Sequence, residues 1–151
     1  KLRNDLALKE RLLALYWELQ PYSEVSQMLK ELKKNGIQTA ILSNGSLEML
    51  SGAVRSSNLY EVIDEIISVE TVKIFKPNAR VYMQVENIIG CSKSEVLFVS
   101  SNGWDIAGAK QAGWQAAFIA RPGKVLYPLA IAPDTVVSGL DELVSQLPDA
   151  K

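Results

Sequence analysis

Apolar positions recur along the chain with a period that changes from segment to segment, and the changes outline its elements. Leu8, Leu12, Leu15 and Leu19 follow at spacings of four, three and four, which predicts a helix from Asp5 to Leu19 with one leucine stripe, stopped by Pro21. A second helix is expected from Ser23, a residue type suited to an N-cap, with Val25, Met28, Leu29 and Leu32 inward and Gly36 as the terminating residue. Ile37 to Leu42 is a short β-rich run closed by Ser43-Asn44-Gly45. The alternation continues with a helix over Leu47–Ser56, a strand over Glu65–Val69, and a helix over Asn78–Ile89 stopped by Gly90. Val96–Val99 is an almost fully apolar strand, the pattern of a strand covered on both faces. A short helix over Asp105–Ala112 ends at Gly113, Gln115–Ile119 is another buried strand, and Ser138 with Asp141 resembles a capping box for a last helix, Leu140–Leu147.

Strands alternating with helices at this spacing predict an α/β fold: a parallel, Rossmann-like sheet with right-handed crossovers and flanking helices. In such sheets chemistry collects beyond the carboxyl ends of the strands. Three polar clusters fall there: Ser43-Asn44 after one strand, Ser100 to Asp105 after another, and Lys76 in a loop a few residues beyond a third.

Composition narrows the chemistry. The 151 residues suffice for one core, and 16 basic against 17 acidic residues leave a net charge of -1, with no basic footprint for nucleic acid. Apolar runs are far shorter than the roughly 20 residues of a membrane span, and no signal-peptide pattern opens the chain. Cys91 is the only cysteine, which excludes an internal disulfide and a thiolate metal cluster, and the expectation is a cytoplasmic protein. Without a histidine, no Ser-His-Asp triad, Cys-His pair or His-ligated zinc can be built, so acid or base work falls to Asp, Glu, Lys or Tyr. No Met opens the chain, which is expected to begin after processing or inside a longer reading frame.

Each cluster has a plain structural alternative. Ser43 and Asn44 can satisfy their own turn, or the turn can hold a carboxylate or phosphate. Lys76, held extended before Pro77, can be a solvated cation or can steady a carboxylate nucleophile. Asp105 suits the positive end of a helix dipole, but that explanation leaves Ser100, Ser101, Asn102 and Trp104 without a reason.

The order Leu-Ser-Asn-Gly, then Lys-Pro with a tyrosine six residues after the lysine, then Ser-Ser-Asn-x-Trp-Asp, resembles the haloacid dehalogenase superfamily, and within it the L-2-haloacid dehalogenases. Pro21 to Val25, Phe75-Lys76-Pro77 and Arg80-Val81-Tyr82 carry the same resemblance, most securely over Pro21 to Arg121. Phosphatases of that superfamily resemble Gly-Asp-x-x-x-Asp where this chain has Ser100-Ser101-x-x-x-Asp105. One carboxylate fewer weakens the case for Mg²⁺, and the resemblance implies no metal and no cofactor.

The resemblance also implies roles. An aspartate at the end of the first strand attacks the substrate α-carbon and leaves an ester that water hydrolyses, giving a 2-hydroxy acid. Ser43 would hold the substrate carboxylate, Asn44 would face the halide and Trp104 would wall the pocket. Lys76 would stabilise the nucleophile, positioned with Ser100 and Tyr82, while Asp105 and Asn102 would orient the water. The substrate is then a small 2-haloacid, with neither nucleic acid nor membrane as partner.

Two departures matter. No Asp-x-x-Gly-Thr strand occurs in Lys1 to Leu42, and the helical cap is mostly absent. Residues 1–20 are expected to be a remnant of the cap, and 21–151 the core without its central first strand. Two half-sheets with exposed edges would follow, and with them a homodimer. Two other classes stay open: an inactive or binding-only relic of the scaffold, and a Mg²⁺-dependent phosphatase.

Overall fold

A computed structural model describes residues 5–126 and 131–147. Its helices are α1 (Leu6–Ala14), α2 (Val25–Lys34), α3 (Leu47–Ser56), α4 (Ala79–Ile89), α5 (Gly103–Ala112) and α6 (Leu140–Ser145). The strands are β1 (Ala40–Ser43), β2 (Glu65–Ser68), β3 (Leu97–Ser100), β4 (Gln115–Ile119) and β5 (Thr135–Val137). The elements alternate as the apolar periodicity predicts, and their ends have local causes. Asp5 and Asn78 cap α1 and α4 by accepting backbone N–H groups at 3.0 Å from Leu8 and Arg80. Gly90 and Gly113 end α4 and α5 at φ of 77° and 93°, a left-handed conformation that side-chain-bearing residues resist.

Three expectations are corrected. The helix expected over Asp5–Leu19 ends at Ala14, continues as a 3₁₀ turn over Leu15–Trp17, and keeps its leucine stripe exposed. That stripe has no partner surface among the described residues: α1 has no buried residue and makes its principal contacts with the turn that follows it. Glu24, not Ser23, is the N-cap residue of α2. Ser138 forms no capping box with Asp141; its N–H and hydroxyl both donate to Glu142, at 2.8 and 2.7 Å. Strand β5 has no counterpart in the sequence-based expectation, because three residues are too few for a periodic signal.

All strand pairs are parallel, but they form two sheets: β1 with β2, and β3-β4-β5. Apolar layers hold the sheets side by side. On one face Leu42 and Ile67 pack with Tyr82, Val85, Ile106, Phe98 and Phe118. On the other, Ile41 and Ile66 join Leu29, Leu32, Val54 and Val144. Exposure follows the sheet order, with the strands that have one neighbour more open than the strand that has two. β4, the middle strand of its sheet, is buried over Ala116–Ile119, whereas Ala40 of β1 is exposed and Val99 of β3 keeps 38% of its surface. The facing edges of β1 and β3 therefore carry apolar side chains and backbone groups unpaired by any strand among the described residues.

Candidate active site

The site grows from the carboxyl ends of β1 and β3, where each chain leaves its strand in a tight polar turn. After β1, Ser43 Oγ accepts the Gly45 N–H at 3.1 Å, which leaves its hydroxyl proton free to donate outward. Ser68 at the end of β2 donates to the Gly45 carbonyl at 2.8 Å and fixes the turn from below. After β3, Ser100 Oγ accepts the Asn102 N–H at 3.1 Å, again leaving a hydroxyl proton free. Ser101 points the other way and donates to the Ile119 carbonyl of β4 at 2.8 Å.

Lys76 is the hub between the two turns. Its backbone N–H donates to Asn44 Oδ1 at 2.9 Å, so the Asn44 amide must turn its NH₂ group away from the loop. Its ammonium donates to the Leu42 carbonyl at 3.0 Å and to Asp105 Oδ2 at 2.7 Å. The two side chains are only 8% and 4% exposed, so the pair sits in a medium where losing either partner is costly. Two aromatic rings flank the cation, Phe98 with its centroid 5.5 Å from Nζ and Trp104 at 5.9 Å.

Asp105 lies in the first turn of α5, and its second oxygen accepts from the Tyr82 hydroxyl at 2.8 Å. Tyr82 is fully buried, edge-on to Phe98 and Trp114. Burial pushes its hydroxyl above the ordinary phenol value, and the Asp105 carboxylate pushes further the same way. The group therefore stays a proton donor and locks Asp105 in place. Gly108, one turn beyond Asp105, makes room for that hydroxyl: a Cβ there would lie 2.3 Å from it.

Of the residues singled out in the sequence, Asn44, Lys76, Tyr82, Trp104 and Asp105 meet through these contacts, while Ser43, Ser100 and Asn102 stand in the adjoining turns. Tyr82 reaches the cluster only through Asp105. Leu42, Phe98 and Gly108 are contributors that sequence reasoning missed, since each looks like an ordinary core or helix position. Asp105 is the one carboxylate bonded into the cluster, and no three His, Cys, Asp or Glu residues gather to hold a metal among the described residues. A shallow open hollow between α3 and β2, lined by Leu47, Val54, Arg55 and Tyr60, shares no residue with the cluster.

Comparison with known proteins agrees with the resemblance. A family model described as haloacid dehalogenase-like hydrolase matches residues 3–113. The chain belongs to that family.

Its relatives include the (S)-2-haloacid dehalogenase of Pseudomonas sp. (strain YL), 39% identical over 140 residues that make up 93% of this chain and 60% of the relative. The (S)-2-haloacid dehalogenase 1 of Pseudomonas sp. (strain CBS-3) is 49% identical over 122 residues, 81% of this chain and 53% of that protein. The fold superposes on the L-2-haloacid dehalogenase from Xanthobacter autotrophicus, solved with chloropropionic acid covalently bound. The TM-score is 0.87 at 34% identity, covering 95% of this chain and 67% of that one. This member of the haloacid dehalogenase-like hydrolases thus spans 53 to 60% of the length of those two curated relatives. No helix of the described residues is long and apolar enough to cross a membrane.

Proposed function

We propose that the cluster is the substrate, cation and water side of an L-2-haloacid hydrolase, and that the attacking carboxylate comes from a strand seated between β1 and β3. The observation that carries this is the ammonium of Lys76. It is buried, and two of its three donors are taken by the Leu42 carbonyl of β1 and by Asp105. The third is available to a second carboxylate. Asp105 cannot be that carboxylate, because both its oxygens are engaged and it is buried.

An aspartate in that position would act as the nucleophile. Its oxygen forms a bond to the substrate α-carbon as the carbon–halogen bond breaks, and the halide leaves with the bonding pair. The free hydroxyl of Ser43 holds the substrate carboxylate, the NH₂ of Asn44 receives the departing halide, and half-exposed Trp104 closes one wall. Water then hydrolyses the ester to release the 2-hydroxy acid. Asp105, immobilised by Lys76 and Tyr82, orients that water with Asn102, while Ser100 and Lys76 hold the released carboxylate. The covalently bound chloropropionate of the Xanthobacter enzyme is consistent with such an ester. Two carboxylate-poor turns suit this better than a Mg²⁺-dependent phosphatase, since Mg²⁺ wants near-octahedral oxygen ligands.

The same proposal treats residues 1–20 as part of a helical cap and residues 21–151 as core. It also expects a homodimer, on the exposed leucines of α1 and the open strand edges. Chloride release from L-2-chloropropionate tests the chemistry. The 151 residues alone should release none, and turnover should appear when an upstream segment supplies an aspartate strand. Phosphate release from p-nitrophenyl phosphate with Mg²⁺ would favour the phosphatase. Haloacid binding without turnover, even with the strand supplied, would favour a binding-only scaffold. A monomer in gel filtration would remove the dimer.

A further inference from the structure

Outside the site, one charged cluster joins parts of the chain that are far apart in sequence. Arg121, two residues past the end of β4, donates from Nη2 to Glu24 Oε1, and its guanidinium carbon lies 3.8 Å from the centre of the Tyr22 ring. The ion-paired side chains are only 14% and 19% exposed, so this is not a solvated surface contact. Burial pushes the Glu24 carboxyl up, but hydrogen bonds from its own backbone and from Arg121 outweigh that, and the group sits below its ordinary value.

Tyr22 lies in an arm that leads into α2, whose N-cap is Glu24. The stretch from Glu18 to Ser23 lies between the 3₁₀ turn and α2, outside any helix or strand. The arm's other anchor is Trp17, whose ring is seated so closely on Gly52 of α3 that a Cβ there would lie 2.2 Å from it. Helix α3 packs on the β1–β2 sheet, whereas Arg121 extends the β3-β4-β5 sheet. The arm is therefore pinned at one end to each sheet.

Arg121 also touches the site loop. Its backbone N–H donates to the Ile119 carbonyl at 3.0 Å, the same oxygen that accepts from Ser101 at 2.8 Å. A contiguous line of contacts thus runs from Glu24 through Arg121 and Ile119 to Ser101, the neighbour of Ser100 and Asn102.

We propose that Arg121 is a positioning residue: a clasp that ties the arm between the 3₁₀ turn and α2 to the end of β4 and steadies the Ser100–Asn102 turn. An arginine is required, since only its planar fork can pair with a carboxylate and stack on an aromatic ring at once. Releasing the clasp leaves the arm held by Trp17 at one end and by α2, which Leu29 and Leu32 bury in the core, at the other, and loosens the residues between them.

Hydrogen–deuterium exchange on the purified protein decides the matter, comparing the parent with Arg121→Gln, Glu24→Gln and Arg121→Lys. In each variant the amides of Val25 and Met28, which donate to the Tyr22 and Glu24 carbonyls, should exchange faster, by about tenfold in Arg121→Gln, because local opening reports the lost contact. The amides of Ser101 and Asn102 should rise with them, while those of α4 and β2 change no more than the fall in melting temperature accounts for. The Arg121→Gln/Glu24→Gln pair should match the worse single variant, since both remove one interaction. Unchanged exchange at Val25 and Met28, or a rise spread evenly over α4 and β2, overturns the proposal. If Arg121→Gln does not fold, Glu24→Gln carries the same decision alone.

Discussion

Replacing Gly108 with alanine sets two physical effects against each other with opposite signs. Gly108 lies inside α5, where helix propensity alone predicts that alanine stabilises by up to ~1 kcal/mol. Packing predicts the reverse. The added Cβ would lie 2.3 Å from the Tyr82 hydroxyl and 2.6 Å from its ring carbon Cζ. The ring cannot withdraw, because it is fully buried and meets Phe98 and Trp114 edge-on at 6.0 and 5.5 Å. Overpacking of this kind costs about 1–3 kcal/mol. Displacing the hydroxyl from Asp105 removes a hydrogen bond to a charged group, about 1.5–3 kcal/mol more. After the propensity gain the net loss is about 1.5–5 kcal/mol, which at this chain length lowers the melting temperature by about 3–20 °C. Thermal unfolding followed by circular dichroism measures it, in the parent and in a Tyr82→Phe background, where the worst contact is gone and the loss should shrink by at least about 1 kcal/mol. An alanine variant as stable as the parent, or a loss unchanged by Tyr82→Phe, would refute the packing of Tyr82 against α5 and with it the locking of Asp105.

Asp105→Asn keeps the size of the side chain but leaves the Lys76 ammonium buried without its carboxylate; a loss of about 3–5 kcal/mol is expected in urea unfolding, and a loss below about 1 kcal/mol would mean another group balances the charge. Lys73 sits at φ 53°, where an L side chain costs roughly 1 kcal/mol, so Lys73→Gly should be neutral or stabilising by up to about that amount in the same assay, and clear destabilisation would contradict the strained loop. The Asp64 carboxyl is held below its ordinary value of 3.8, first by the Thr39 backbone N–H, with Thr39 Oγ1 and Lys33 adding to it. Its stabilising effect is complete above the unfolded value and is lost as pH falls through the lower folded one; Asp64→Asn should therefore flatten the acid limb of stability below about pH 4, and an unchanged limb would rule this out.

Some of this molecule was legible one residue at a time, because its causes act over a few bonds. Asp5 and Asn78 accept N–H groups from their own first turns, and Gly90 and Gly113 supply the left-handed residue that ends a helix. The helix over Leu47–Ser56 and the strand over Gln115–Ile119 follow from periodicity and composition within their own spans. The order of the three polar clusters was legible too, as was the family. Tertiary structure decided what depends on residues far apart in sequence. The leucines of α1 have a helical stripe's spacing, but spacing cannot say whether a surface exists for the stripe to bury against, and here the stripe is exposed. Lys76 reads equally well as a solvated cation until the fold brings Asp105, Leu42 and Phe98 around it from three other elements. Arg121 carries no local signal at all, since its partner lies 97 residues away. The division of the sheet in two was expected from the resemblance, not from the strands themselves, because each strand's own sequence fixes its apolar character while pairing requires a neighbour placed by the rest of the chain.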